Sequence, residues 1–234
     1  MSGKLAGKTA VVTGVSRGIG RAIATLLAGE GAAVAGCSRQ ANRGSFLDDL
    51  EPGQRLRHLV ADCDVRQREA IHVFRDLVLT RLGPPHILVN NAGIVARVGI
   101  ETMPEATWDD VLAANLKGAF LMIQAFLPAL RSCGHARIIN MASIAGRQGT
   151  PLLSAYCVAK HGVVGLTRAL AEEFRSDGIA VNAVCPGSVD TEMLAIGRPG
   201  AKPDMSPAEV AQAVLFLAAD APPAMTGQCV DVYG

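Results

Sequence analysis

The sequence has few aromatic residues, no excess of either charge and no long apolar run. One Trp, two Tyr and six Phe in 234 residues leave little for stacking on nucleic-acid bases. Lys and Arg number 22 against 21 Asp and Glu, so the basic stripe of a nucleic-acid-binding protein is missing. No apolar run reaches the ~18 residues that a membrane span needs, and the short apolar stretch near the N-terminus is a poor signal peptide. These absences predict no nucleic acid and no membrane as partners, and a cytoplasmic location.

Motifs for metal binding and disulfide exchange are also missing. The six cysteines form no C-x-x-C pair, and the five histidines show no metal-ligand spacing. We therefore expect structural thiols in a reducing compartment and no metal site. Half of the residues are hydrophobic and only 18% are charged, which predicts a folded chain with a sizeable core.

Short apolar runs alternate with helical patterns along the whole chain. Strands are predicted at residues 9–13, 32–37, 56–61, 86–89, 137–142, 179–185 and 228–232, and helices at 19–29, 66–82, 108–130, 154–176 and 206–219. The last helix has Ser206 as its N-cap, Pro207 at its first position and Glu209 at its third. This alternation predicts one doubly wound α/β domain over residues 1–234, with a parallel sheet between helices. Residues 188–205 are the least regular and are predicted to form a short substrate lid.

The first strand runs into a turn with glycines at positions 14, 18 and 20. Such a turn brings the backbone close to a pyrophosphate and points the free N–H groups of the next helix at it. The context predicts a Rossmann-type dinucleotide site. Residues 14–18 also fit G-x-S-x-G, the nucleophile elbow of α/β hydrolases. That elbow requires several preceding strands, and only fifteen residues precede Ser16, so the hydrolase alternative fails.

The end of the second strand bears on the type of dinucleotide. NAD enzymes of this architecture carry an acidic residue there, which binds the ribose 2′-hydroxyl. This chain has Ser38 and Arg39 instead, and no acidic residue lies between Glu30 and Asp48. Because a guanidinium suits a phosphate, and Arg17 lies in the glycine-rich turn, NADP(H) is favoured, while NAD(H) stays possible.

One tyrosine lies four residues before a lysine in a predicted helix, so Tyr156 and Lys160 share a face. A phenol has an ordinary pKa of about 10, and a nearby cation lowers that value toward the range of acid–base catalysis. Ser143 follows the fifth strand, at the sheet edge where ligands bind. Asn115 is an amide within an apolar helix, where it either bends or packs the helix or organises a water molecule near Lys160.

These motifs together resemble the short-chain dehydrogenase/reductase family, and the resemblance covers nearly the whole chain. The matching segments follow the family's order: residues 13–20, 64–65 and 90–93, Asn115, Ser143, Tyr156 with Lys160, and Pro186-Gly187 with Thr191. Within the family, the chain is similar to 3-oxoacyl-[acyl-carrier-protein] reductases and acetoacetyl-CoA reductases.

The resemblance implies a nicotinamide-dependent oxidoreductase that reduces a ketone, with a 3-oxoacyl thioester as a candidate substrate. Its substrate is then a small carbonyl or alcohol compound, free or linked to a carrier protein or CoA. Oxidation of a secondary alcohol, such as a hydroxy acid, sugar alcohol or steroid, is the alternative direction. A redox sensor that binds the dinucleotide without turnover is an alternative of another class, but it has no need of Ser143, Tyr156 and Lys160 together.

The resemblance also implies roles for individual residues. Its catalytic set is Ser143, Tyr156, Lys160 and Asn115. Its cofactor-binding set is Gly14, Ser16, Arg17, Gly18, Ile19, Gly20, Ser38, Arg39, Asp64, Val65, Asn91, Ala92, Gly93, Tyr156, Lys160, Pro186, Gly187, Val189 and Thr191. In this scheme Tyr156 is the acid/base, Ser143 orients the substrate carbonyl, and Lys160 binds the nicotinamide ribose and lowers the tyrosine pKa. Asp64 and Val65 lie at the adenine, whereas Val189 and Thr191 meet the carboxamide.

Family members are usually homodimers or homotetramers that pair the helices containing Asn115 and Tyr156, which predicts a homo-oligomer here. Two segments depart from the family pattern. Residues 188–205 are shorter than the usual substrate lid, and the C-terminal Asp231-Val232-Tyr233-Gly234 lacks the usual pair of glycines. We expect the substrate pocket to form from the lid and the loop after Ser143, which includes Arg147 and Leu152.

Overall fold

A seven-stranded sheet forms the centre of the structure, a computed structural model that describes residues 3–41 and 44–234. The strands are β1 (Thr9–Thr13), β2 (Ala33–Ser38), β3 (Leu59–Asp62), β4 (Ile87–Asn90), β5 (Ala136–Met141), β6 (Ile179–Pro186) and β7 (Cys229–Val232). All pair in parallel, in the order β3-β2-β1-β4-β5-β6-β7. The strand order reverses between β1 and β4, where open α/β sheets bind their ligands. The predicted α/β fold is confirmed; Met1, Ser2, Asn42 and Arg43 of the predicted domain lie outside the described residues.

Helices cover both faces of this sheet. They are α1 (Gly18–Gly29), α2 (Pro52–Arg55), α3 (Arg68–Leu82), α4 (Glu105–Leu112), α5 (Gly118–Ser132), α6 (Ser154–Glu173), α7 (Glu192–Gly197) and α8 (Pro207–Leu215). On one face, Leu27 of α1 and Val214 of α8 are fully buried in a shared apolar cluster. On the other, Phe74 of α3 and Phe126 of α5 pack edge to face, with ring centroids 6.2 Å apart. Cover on both faces explains why all five residues of β1 are buried.

The start of α8 follows its sequence signals closely. The Ser206 hydroxyl accepts a hydrogen bond from the Glu209 backbone N–H, and the Glu209 carboxylate accepts one from the Ser206 backbone N–H at 2.7 Å. Pro207 occupies the first helical position, where a backbone N–H would have no partner. The predicted capping box is confirmed.

A π-helical turn, Ala113–Lys117, joins α4 to α5 in one continuous helical segment. The segment begins at Glu105, three residues before the predicted start, and the irregular turn contains Asn115. From Glu105 to Ser132 it is long and apolar enough to cross a membrane by length and composition, with a mean hydropathy of 1.4 over its most apolar window. Of its most apolar window, 56% is buried inside the fold, so packing on the sheet accounts for much of that composition.

Two boundaries differ from the sequence prediction for local reasons. β3 begins at Leu59 rather than Leu56, because Pro52 starts the short helix α2 and the following turn leaves Leu56 88% exposed. The irregular segment 188–205 contains the helix α7. Thr191 is its N-cap, and the threonine hydroxyl accepts a hydrogen bond from the Leu194 backbone N–H at 3.3 Å.

Gly20 lies at a close approach between the glycine-rich turn and the loop after β4. A Cβ atom at this position would lie 2.2 Å from the Gly14 carbonyl oxygen and 2.3 Å from Asn91 Nδ2. Because the carbonyl is backbone, Gly20→Ala should lower the free energy of unfolding by about 1–3 kcal/mol. Gly29→Ala on the same helix is the control, since nothing lies within 4 Å of its Cβ position. Urea denaturation measures both variants, and equal stability would contradict the close approach.

Candidate active site

The glycine-rich turn adopts a conformation that only glycine accepts readily. Gly14 and Gly18 have φ angles of 76° and 55°, in the left-handed region. α1 begins at Gly18, and the Arg17 side chain at its N-cap position makes no capping hydrogen bond. The first N–H groups of a helix have no partner within the helix and carry its positive dipole end. The turn can therefore receive a pyrophosphate.

A cleft of about 990 Å³ opens at the carboxyl ends of the strands. Of the residues predicted to bind the cofactor, those lining it are Gly14, Ser16, Arg17, Gly18, Ile19, Gly20, Ser38, Arg39, Asp64, Val65, Asn91, Ala92, Gly93, Tyr156, Lys160, Pro186 and Thr191. Gly187 and Val189 do not line it. Val189 pairs with Met205 in an isolated parallel bridge, which buries the valine side chain in the core. A Cβ atom at Gly187 would lie 3.2 Å from the ring of Tyr233.

One end of the cleft has the chemistry expected for an adenosine phosphate. The Ser38 hydroxyl oxygen is buried and has no hydrogen-bond partner among the described residues, although a buried polar atom ordinarily has one. Arg39, the next residue, lines the same cleft and is exposed. A ribose hydroxyl or phosphate oxygen at Ser38 would supply the missing partner. These residues therefore fit an NAD(P) cofactor.

Asp64, expected at the adenine, takes part in a chain of charges. Arg66 donates to both Asp64 carboxylate oxygens, with Nη2 to Oδ2 at 2.6 Å, and also donates to Asp110 Oδ1 at 2.5 Å. These hydrogen bonds hold the pKa of Asp64 below its ordinary value, and the charge of Arg39 lowers it further. Arg66 was not singled out from the sequence; its position two residues after Asp64 was the available signal.

Tyr156 lines the other end of the cleft, and Ser143 lies near its phenol without lining the cleft itself. Tyr156 lies in the first turn of α6 and is 9% exposed. Burial raises the pKa of its phenol to about 12, although a hydrogen bond with Ser143 acts in the opposite direction. Ser143 lies two residues after the end of β5, and its hydroxyl also accepts a hydrogen bond from the Ala145 backbone N–H at 3.1 Å. The arrangement places a protonated phenol beside a second hydroxyl, as a carbonyl substrate requires.

Lys160 lies one helical turn beyond Tyr156 and is 4% exposed. Its ammonium group donates to the Met141 carbonyl at 2.7 Å and lies 5.6 Å from the centroid of the Tyr156 ring. Burial lowers the pKa of Lys160 to about 8. The expected lowering of the Tyr156 pKa by Lys160 is not found in the chain itself, because burial of the phenol dominates its pKa.

Asn115 lies close to Lys160, and Gly93 in the loop after β4 lies next to both side chains. Its amide nitrogen donates to the Ile94 and Val111 carbonyls, both at 2.8 Å, while its amide oxygen is buried without a partner in the described chain. A Cβ atom at Gly93 would lie 2.4 Å from that oxygen and 3.8 Å from Lys160 Nζ. Glycine at position 93 thus lets the amide and the ammonium group approach the same point, where a bridging water molecule would satisfy the oxygen.

The helix α7 lies along this end of the cleft, where Met193 and Ile196 line it. Met193 reaches the tyrosine, whose hydroxyl donates to the methionine sulfur at 3.8 Å. Glu192 forms an ion pair with Arg17 of the glycine-rich turn, and the Gly197 carbonyl accepts a hydrogen bond from Arg97 at 3.3 Å. Neither Met193 nor Glu192 was expected from the sequence, where nothing marks which lid residues face inward.

The loop after Ser143 contributes less to the pocket than expected. Arg147 points away, because its guanidinium binds Asp231 at 2.9 Å and also donates to the Cys229 carbonyl. These contacts fix β7, which includes the first residues of the atypical C-terminal segment, against the loop after β5. Leu152, by contrast, has a φ of 66°, the one positive value among the described residues other than glycine. Its carbonyl accepts a hydrogen bond from the Val98 backbone N–H at 2.9 Å, which joins the loops after β4 and β5.

Comparison with known proteins agrees with this geometry. A family model described as short chain dehydrogenase matches residues 8–200. The chain belongs to the short-chain dehydrogenase/reductase family. The 3-oxoacyl-[acyl-carrier-protein] reductase FabG of Thermotoga maritima is 34% identical over 249 residues, which cover 99% of this chain and 98% of the relative. The D-threitol dehydrogenase of Mycolicibacterium smegmatis is 36% identical over 242 residues, which cover 99% and 93%.

A solved structure agrees as well. The carveol dehydrogenase of Mycobacterium avium in complex with NAD superimposes with a TM-score of 0.89 at 30% identity, covering 99% of this chain and 98% of that one. The chain is therefore an NAD(P)-dependent oxidoreductase that acts on a ketone or alcohol of a small molecule.

Burial of Lys160 predicts how stability changes with pH. The folded pKa of about 8 lies below the ordinary 10.5, so between these values the unfolded chain holds a proton that the folded chain has lost. Stability should therefore rise with pH across that window, by up to about 3 kcal/mol. Lys160→Met removes this titration. Urea denaturation of wild type and Lys160→Met at pH 8 and pH 10 tests this prediction. From pH 8 to pH 10, the free energy of unfolding of wild type should rise relative to that of the variant.

Tyr156→Phe is the control for this experiment. Because the pKa of Tyr156 is raised, the stability that its protonated phenol adds to the folded state is fully present below pH 10. That stability is lost as the pH rises toward 12. The phenylalanine variant should therefore follow wild type between pH 8 and pH 10. A constant difference between wild type and Lys160→Met over this range would show that the lysine is not titrating there.

Proposed function

We propose that the protein is an NADPH-dependent ketone reductase in which Tyr156 is the general acid, and that its substrates include 3-oxoacyl thioesters. The buried phenol carries this proposal. With a pKa raised to about 12, it holds its proton throughout the neutral range. A protonated phenol can donate its proton to a carbonyl oxygen during reduction, and the same group would take the proton back if the reaction ran toward oxidation.

The proposed reaction assigns one step to each residue. When bound, NADPH supplies the hydride that reaches the carbonyl carbon. Ser143 holds the carbonyl oxygen by a hydrogen bond, and Tyr156 donates its hydroxyl proton to that oxygen as negative charge develops there. Lys160 and the unpartnered oxygen of Asn115 then hold the water through which the phenol regains a proton. In the same cleft the glycine-rich turn binds the pyrophosphate, and Asp64 and Val65 lie at the adenine.

The preference for NADPH rests on the end of β2. Ser38 offers a buried hydroxyl with no partner among the described residues, and Arg39 offers a cation beside it. The nearby carboxylate that lines the cleft, Asp49, is paired with Arg21 at 2.5 Å and so is not free to bind a ribose. Arg17 also lies at the mouth of the cleft, where it is already paired with Glu192. A phosphate on the ribose suits this charge distribution better than a hydroxyl does.

The preference for an acyl substrate rests on the apolar wall around Tyr156. Val95, Leu153 and Met193 pack in the same cluster as the phenol. An acyl chain would bury its methylene groups against such a wall, at roughly 0.8 kcal/mol for each. A polyol, like that in the name of the threitol dehydrogenase, needs several polar partners that this wall does not offer. Oxidation of an apolar secondary alcohol is the second candidate, supported by the fold's likeness to carveol dehydrogenase.

We further propose a cytoplasmic homodimer or homotetramer, with residues 3–41 and 44–234 forming one domain and residues 188–205 acting as its lid. All six cysteines are free thiols, which suits a reducing compartment. The exposed side chains of Phe120 and Val158 lie on α5 and α6, the helices expected to pair. A shallow depression lined by Leu112, Leu116 and Phe120 continues this apolar face.

Replacing the phenol should abolish turnover and leave cofactor binding intact. Tyr156→Phe removes the donated proton but keeps the ring, so kcat for ketone reduction should fall by at least about 100-fold. The dissociation constant of NADPH, followed by nicotinamide fluorescence, should change little. Tyr233→Phe alters the second tyrosine of the chain and should keep full activity. A Tyr156→Phe enzyme with most of its activity would refute the assigned acid.

Cofactor selectivity should depend on Arg39. Wild type should bind NADPH much more tightly than NADH, and Arg39→Ala should weaken NADPH binding by roughly 10- to 100-fold, the value of a hydrogen bond between charged groups. NADH affinity should stay the same, because NADH lacks the phosphate. Arg175→Ala, which breaks an exposed pair with Glu172 on α6, is the control. Equal binding of NADH and NADPH by wild type would overturn the NADPH preference.

A further inference from the structure

We propose that Met193 determines substrate specificity by limiting the width of the acceptor beside its reacting carbonyl. The inference rests on the proposed function only in taking Tyr156 as the residue that faces the substrate oxygen. The inference predicts that the enzyme prefers unbranched over ring-containing acceptors. Membership of the family does not specify this preference.

The position of the methionine sulfur is the first observation. The Tyr156 hydroxyl donates to Met193 Sδ at 3.8 Å, so the thioether lies at the atom that must hand over the proton. A substrate carbonyl would need to lie about 2.7–2.8 Å from the same hydroxyl. The carbonyl oxygen and the sulfur therefore compete for one place, and the side chain must turn aside when substrate binds.

The backbone beneath Met193 is held at several points. Thr191 caps the helix, Glu192 pairs with Arg17, and the helix end is held by a hydrogen bond from Arg97 to the Gly197 carbonyl. Beyond the helix, Arg198 donates to the Ser188 hydroxyl at 3.2 Å. With both ends held, the side chain can yield by rotating about its own bonds while the helix stays in place. Methionine is suited to this, since it is unbranched and flexible.

Apolar side chains surround the space into which the Met193 side chain could rotate when substrate binds. Met193 packs against a buried apolar cluster that includes Val111, Leu153 and Tyr156, with Val95 and Trp108 at its edge. A thioether that turns along this wall would stay in contact with it, so Met193 itself would form one side of the space that opens. We expect that space to accept an unbranched acyl chain, whereas a ring joined at the carbonyl carbon would contact the methionine.

Selectivity between two matched thioesters tests the proposal. The acetoacetyl thioester of N-acetylcysteamine is unbranched, and the thioester of 2-oxocyclohexanecarboxylic acid carries the same reacting groups within a ring. Wild type should have a much higher kcat/KM for the first. Met193→Ala should raise the ratio of ring-containing to unbranched kcat/KM at least tenfold, in line with the discrimination that a few methylene groups provide in an apolar pocket.

Two further variants separate width from other effects. Met193→Leu keeps an apolar side chain of similar volume without the sulfur, so it should retain the wild-type selectivity. Ile196→Ala shortens another cleft-lining residue of α7 and should leave the ratio unchanged. The dissociation constant of NADPH should be the same in all variants, which shows that each one folds. The gain of Met193→Ala should appear mainly as a lower KM for the ring-containing thioester.

Several results would overturn the proposal. In a Met193→Ala enzyme that binds NADPH normally, a ratio within twofold of wild type would show that the methionine does not set the width. An equal change in Ile196→Ala would assign the effect to the lid in general. If wild type reduces neither thioester, the proposed function fails, and the same ratio is measured in the oxidative direction with the two corresponding 3-hydroxy thioesters. A wild-type preference for the ring there would overturn the inference about Met193 as well.

Discussion

The contact between the ends of β1 and β4 is the constraint on which the cleft depends. The Thr13 hydroxyl accepts hydrogen bonds from the backbone N–H groups of Asn91 and Ala92, each at 2.9 Å. The Asn91 amide in turn donates to the Thr13 carbonyl at 2.9 Å. This network closes the crevice where the strand order reverses, and Gly20 is a glycine because the amide lies against it. Through it, the glycine-rich turn and the loop after β4, which contains Gly93, are joined in the floor of the cleft.

Burial then sets the proton chemistry above that floor. The same apolar surroundings raise the pKa of the Tyr156 phenol to about 12 and lower that of the Lys160 ammonium to about 8. Both shifts favour the uncharged form, as desolvation does for any ionisable group. In the protein without cofactor, Tyr156 and Lys160 therefore favour their uncharged forms, whereas the sequence predicted a lysine cation that lowers the tyrosine pKa. A positive charge brought by an oxidised nicotinamide would act on both groups, and would favour the phenolate.

Much of the fold was predictable from the sequence because its signals are local. The buried strands show as β-branched runs, and the capping box of Ser206 and Glu209 lies within four residues. The glycine-rich turn and the spacing of Tyr156 and Lys160 depend on neighbours along the chain too. The π turn around Asn115 gives no such signal, since it arises from packing against residues far away in sequence.

The less predictable parts of the site depend on contacts between distant segments. Arg147 points to Asp231, 84 residues away, and so leaves the pocket in which it was expected. Met193 reaches Tyr156 because α7 is held by residues of two other loops, Arg17 and Arg97. Val189 was expected at the nicotinamide, but its bridge to Met205 turns the side chain inward. In each case the sequence shows the type of residue, but it does not show which way the side chain points in the fold.

The π turn at Ala113–Lys117 contains the buried Asn115. A π turn is one residue longer than an α-helical turn, so it rotates all later side chains by roughly 100° about the helix axis. The extra residue therefore affects both the position of the Asn115 amide beside Gly93 and the side of α5 that carries Phe126 and Leu130 to the sheet. Loss of one residue there would rotate these side chains away from their present neighbours. The length of this helix is thus under a double constraint, from the position of Asn115 at one end and from the core packing of α5 at the other.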